Sequence, residues 1–186
     1  MKPKECIKIK QENTIFTHSI LWLSATQVLK NNNNIRPFSD YMYMNAQILI
    51  AFCFEAYLNF AGEKMFSFWD DVERIPKMNK LNMICNHLKI DMDFGKEPFQ
   101  SIKLLWKFRD HMAHARTVTI YDEWTQLKVK PIKRKLPKTD WEKRCTKNVT
   151  EKTINDVETV IRLIHEKANI STGSLGVISA GGGKIL

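Results

Sequence analysis

The sequence has no closely spaced cysteine pair: Cys6, Cys53, Cys85 and Cys145 lie too far apart for a CxxC metal knuckle or redox couple. Such an unpatterned set reads as reduced thiols, and a disulfide scaffold is excluded. Long apolar runs are also missing. The most apolar stretch, Ile48 to Ala61, is interrupted by Glu55 and Asn59 and is too short to cross a bilayer. No secretory h-region follows the first residues, which carry Lys2, Lys4, Lys8 and Lys10, so a cytoplasmic protein without membrane attachment is expected. The Gly181-Gly182-Gly183-Lys184 run lacks Walker spacing, having Ile178 five before Gly183 and Ile185 where Ser or Thr would hold magnesium. Negative charge is the scarcer sign, with 20 acidic residues against 29 Lys and Arg, a net charge of +9. That excess suits a polyanionic partner, since basic side chains release condensed counterions when they bind a phosphate backbone.

What is present is a helical chain of 186 residues, enough for one hydrophobic core. Phe16, Ile20, Leu23 and Val28 recur at helical spacing in a first helix, Thr14 to Lys30, which Asn31–Asn34 and Pro37 end. Ser39-Asp40 offers an N-cap for a second helix over Tyr41–Met65, apolar almost all round and therefore central. Helices follow over Pro76–Leu88 and Glu97–His114, and a last one starts at Asn148. Thr117 to Lys130 is β-branched and then alternating, the pattern of a short hairpin. The expected fold is all-α, a bundle of four to five helices with a small β-hairpin inserted before the last helix. Residues 1–170 form the helical domain, 116–148 its basic insertion and 171–186 a flexible Gly- and Ser-rich tail.

Arg109 falls among Ile102, Leu105, Trp106, Met112 and Ala113 on the fourth of these helices. A cation in an apolar stripe is costly unless it is paired or lines a polar cleft. Glu55, with Asn59 one turn on, interrupts the second helix in the same way. Residue types alone favour a structural Glu55–Arg109 pair that fixes how two helices meet.

The string Phe108-Arg109-Asp110-His111-Met112-Ala113-His114 shifts that balance. It resembles the signature of the HEPN family of small helical-bundle proteins: arginine, a polar residue, several residues, then histidine. An acid on the preceding long helix, here Glu55, also fits. The resemblance spans about Tyr41 to Arg116. It implies a metal-independent endoribonuclease, active as a homodimer with a composite site and serving as a toxin or in defence against phage. In that role His114 moves protons and Arg109 steadies the phosphate oxygens, while Glu55 holds Arg109 and Asp110 orients the partner groups. Residues five apart on an ideal helix lie about 140° apart. Either the helix frays at His114 or a second subunit completes the site. No cofactor or metal is expected, because His111 and His114 find no third ligand by spacing. In the branch paired with a nucleotidyltransferase antitoxin a tyrosine often stands two residues after the histidine. Arg116 occupies that place, which puts an antitoxin pairing of that kind in doubt. The alternatives are a non-catalytic HEPN module binding RNA, nucleotide or protein, and a basic DNA-binding or scaffold protein.

Basic residues concentrate between Gln126 and Lys147, where nine face only Asp140 and Glu142, a net +7 of the chain's +9. Lys128, Lys130, Lys133, Arg134 and Lys135 are its densest part and are expected to contact RNA. Trp124 and Trp141 flank them; an exposed indole there could stack a nucleobase, but for these tryptophans packing back onto the bundle is the favoured expectation.

Overall fold

A computed structural model of the chain describes residues 9–32, 39–123, 125 and 137–185. Among these, β1 (Ile9–Ile15) is followed by α1 (Thr17–Asn32), α2 (Ser39–Met65), α3 (Trp69–Val72), α4 (Lys77–His87), α5 (Phe99–Ala113), α6 (Asp140–Arg144), α7 (Lys147–Lys167) and β2 (Ser179–Ile185). The molecule is mostly helical with one small antiparallel sheet. No helix of the described residues is long and apolar enough to cross a membrane.

The all-round apolar character of α2 decides the architecture. A helix with no polar face must be surrounded, and α2 packs against α1, α3, α4, α5 and α7. Ile50, Phe54 and Leu58 of α2 meet Ile102 and Leu105 of α5 and Val157 and Ile161 of α7 in one core. The Tyr57 hydroxyl donates to the Ile161 carbonyl at 3.1 Å, so the centre of α2 is pinned to α7 by a satisfied polar contact. Gly62 lies under the Trp69 ring, where a Cβ would collide with the indole, so the short α3 closes over a gap that only glycine leaves. Cys53, Cys85 and Cys145 are buried free thiols, and burial pushes Cys53 up to about 12, which leaves it without thiolate character.

The strands are not where the alternating pattern predicts them. Thr117 to Glu123 is irregular, and residues 126–130 lie outside the described residues. The sheet instead joins β1 to β2 in antiparallel register from Ile9↔Ile185 to Ile15↔Ser179. The segment expected to be a flexible tail therefore carries a strand. A Cβ on Gly181 would come within 2.7 Å of the Glu12 carbonyl oxygen, so this glycine serves close strand approach rather than freedom. The tail is also tied to α1, since the buried His18 ring donates from Nε2 to the Gly173 carbonyl at 2.6 Å. Gly173 holds φ +71°, a left-handed conformation suited to glycine. The last helix begins at Lys147 rather than Asn148, because the Thr146 hydroxyl accepts the Val149 N–H at 3.4 Å as its N-cap.

Candidate functional site

The apolar stripe of α5 carries Arg109 to the seam with α2, where Glu55 interrupts the apolar surface. Arg109 Nη2 donates to Glu55 Oε2 at 2.9 Å, and Nη1 to Asp110 Oδ1 at 2.9 Å. The guanidinium also lies 5.2 Å from the centroid of Phe52, a cation–π contact one turn before Glu55 on α2. Its side chain is 23% exposed and that of Glu55 29%, so the pair is half-buried and wetted. Two of five guanidinium N–H donors go to carboxylates, and the planar fork is fixed.

Lys77, in the first turn of α4, completes the network. Its Nζ donates to both Asp110 oxygens at 2.7 Å. Burial pushes the Asp110 carboxyl up, but the hydrogen bonds from Lys77 and Arg109 outweigh it and hold it below its ordinary value. Asp110 is thus an ionised bridge between two cations. Glu55, Lys77, Trp106 and Asp110 line an open groove of about 620 Å³, with Arg74, Lys103 and Lys107 around it. Arg109 is not part of that lining; it links the two carboxylates that are. Trp106 is anchored by stacking on Phe54, with centroids 5.4 Å apart.

His114 is the C-cap of α5, at φ −118° and ψ 16°, with its N–H donating to the Asp110 carbonyl. The regular helix ends one residue earlier, at Ala113. The residue is exposed, and its ring forms no hydrogen bond among the described residues. Lys103, Lys107, Asp110 and His114 follow one another at spacings of four, three and four, the interval of a single helix face. No hydrogen bond or ring contact joins Arg109 to His114 within one chain, among the described residues.

The structure thus brings Glu55, Arg109 and Asp110 together. Asn59 stands apart: its Oδ1 accepts from Lys80 Nζ at 2.7 Å, satisfying a lysine only 4% exposed. Lys128, Lys130, Lys133, Arg134 and Lys135 lie outside the described residues, as does Trp124. Sequence reasoning missed Lys77, Lys103, Lys107 and Phe52. Of these, Lys103 and Lys107 had a visible signal, their helical spacing from Asp110. Among the described residues no three His, Cys, Asp or Glu side chains gather as a metal site. Compared with family models, curated proteins and solved structures, the chain has no match.

Proposed function

We propose that the protein is a metal-independent endoribonuclease of the HEPN type, acting as a homodimer in a toxin or anti-phage role. What carries this reading is an exposed imidazole that forms no hydrogen bond among the described residues, at the end of the helix whose Lys103 and Lys107 line a cationic groove and whose Arg109, five residues back, is locked by Glu55. In the reaction, His114 takes the proton of an RNA 2′-hydroxyl, whose oxygen attacks the adjacent phosphorus. The 5′-oxygen leaves by taking a proton from water, giving a 2′,3′-cyclic phosphate and a 5′-hydroxyl end, and His114 then returns its proton to solvent. The phosphate oxygens gain charge in that step and need a fixed donor, the role given to Arg109. Because Arg109 and His114 of one chain share no hydrogen bond and, five residues apart, sit about 140° from each other on an ideal helix, the reading assigns the two roles across a two-fold pair of chains.

The test is cleavage of total RNA by purified protein in excess EDTA, with the product ends analysed. Cleavage leaving cyclic phosphate ends is expected; cleavage only on addition of a divalent metal overturns the mechanism. One observation favours a second reading, a non-catalytic RNA-binding module. Both terminal nitrogens of Arg109 are already spent on carboxylates, as in a structural ion pair. Under that reading wild type binds RNA and leaves it uncut.

A further inference from the structure

On its other side α5 borders a second groove. Leu104, Phe108 and His111 line one wall, and Trp141 and Arg144 of α6 the other, around about 250 Å³. That is below the roughly 300–1,000 Å³ of drug-sized sites and suits a single flat ring system. The short α6 is held by a capping box, in which the Thr139 hydroxyl accepts the Glu142 N–H and Glu142 accepts from Thr139.

Arg144 differs from its basic neighbours. Lys138 is paired with Asp40, Lys143 with Asp140 and Lys147 with Glu151. Arg144 has no carboxylate within ion-pair distance among the described residues, and Glu97 acts on it only from farther off. Its Nε donates to Gln47 Oε1 at 3.0 Å, and its guanidinium lies 5.9 Å from the centroid of the buried Phe108 ring. Burial lowers the Arg144 pKa, so its position is costly for the charge it carries. Across from it, the half-buried Trp141 ring stacks on no other ring among the described residues. A cation without an ion-pair partner beside an indole that stacks on no ring, among the described residues, is an arrangement that can bind a nucleobase by stacking and hydrogen bonding. Lys107 lines both grooves. A strand crossing α5 at Lys107 can set a phosphate on that ammonium, a base against Trp141, and its next phosphate in the larger groove.

We infer that the groove between α5 and α6 is a subsite for one unpaired base of a single-stranded RNA, stacked on Trp141 and hydrogen-bonded by Arg144. The inference rests on the RNA reading above, but it does not require that the strand be cut.

A short fluorescent 2′-O-methyl oligonucleotide, which has no attacking hydroxyl, separates binding from cleavage. Its affinity is expected to fall about ten-fold in Trp141→Leu and to be restored in Trp141→Phe, because phenylalanine keeps a stacking face. An abasic residue at one position should reproduce the loss in wild type and add nothing in Trp141→Leu. Unchanged affinity in Trp141→Leu, or an equal abasic penalty in both proteins, overturns the subsite. Loss of oligonucleotide binding by wild type overturns it as well. A free nucleoside monophosphate that binds as tightly as the oligonucleotide, and only when Trp141 is present, makes the groove a nucleotide site and refutes the strand assignment. Ordinary RNA separates the two proposals: the Trp141 signature without cleavage leaves the subsite standing and removes the nuclease. Full cleavage with unaltered binding in Trp141→Leu does the reverse.

Discussion

Two charge networks stand at opposite ends of α5, and their compositions differ. At the start of the helix, Lys152 faces Glu97 and Asp156, while Ser101 donates to Asp156 at 2.6 Å and accepts from Lys152 at 2.9 Å. One cation meets two carboxylates there, and the Ser101 N–H also donates to Glu97 at 2.9 Å, which satisfies a free amide of the first helical turn. At the other end, Glu55 and Asp110 face Arg109 and Lys77, with Arg74, Lys103 and Lys107 around the same groove. The first network has acid to spare and ties α5 to α7. The second has positive charge to spare, and the exposed His114 caps the helix just beyond it in sequence. Charge left over after internal pairing, rather than the presence of ion pairs, distinguishes a groove that suits a polyanion from a clamp.

The sharpest break of this comparison is His114→Ala. RNA cleavage is expected to fall about 10²–10⁴-fold, as for loss of a general acid–base. The melting curve should overlay wild type, since the ring is exposed and forms no hydrogen bond among the described residues. A variant that melts early would move His114 into the structural group.

Arg109→Ala comes next. It leaves Glu55 and Asp110 without their shared cation, at a cost of about 1–3 kcal/mol by denaturant titration. That is below the roughly 3–5 kcal/mol of a broken, fully buried pair because both side chains are partly wetted. Cleavage should collapse as well. Arg109→Lys keeps the charge but offers a single ammonium where a fork spanned two carboxylates, and intermediate stability with lost cleavage is expected. Full activity in the lysine variant would refute a guanidinium role.

At the opposite end, Lys152→Met should cost about 1 kcal/mol, the discount reflecting a half-exposed ammonium. Cleavage per folded molecule should be unchanged. A cleavage defect equal to that of Arg109→Ala would erase the distinction between the two ends.

Acid probes both ends at once, with the smallest effect. For Glu97, burial pushes the carboxyl up, but hydrogen bonds from Lys152 and Ser101 hold it below its ordinary 4.5; Asp110 is likewise held below 3.8. Depressed carboxyls contribute their full stability above those ordinary values and lose it as pH falls through the lower folded ones. Melting temperature should therefore decline only below about pH 4.5 on their account. The decline should be shallower in Glu97→Gln and in Asp110→Asn. An equal acid slope in wild type and both variants would show that neither network governs it.

The elements of this comparison were unequally visible in the sequence. Arg109 and Glu55 declared themselves because each breaks an apolar helix, and periodicity alone brings such residues to a helix–helix seam. Lys77 carried no such mark. It sits in the first turn of α4, and only the packing of α4 on α2 brings it to Asp110. The five long helices were legible because their apolar periods are long. The two shortest, α3 and α6, are too brief to show a period. The sheet was misplaced for a different reason. β-branched residues marked Thr117–Tyr121, whereas the real strand Ser179–Ile185 is rich in glycine and is made by its partner strand, not by propensity. Asn59 looked like a companion of Glu55 because helical spacing puts them one turn apart, but the buried Lys80 claims it.

The β1–β2 ribbon has a consequence for the order in which the fold is assembled. Its register joins Ile9 to Ile185, so the first described strand cannot find its mate until nearly every other described residue has been synthesised. The His18–Gly173 bond obeys the same delay. Helices α1 to α5 can pack as they emerge, leaving the seven residues of β1 waiting without a ladder. The ribbon therefore reports the arrival of β2: amide exchange at β1 slows only in molecules in which Ser179–Ile185 has already been made.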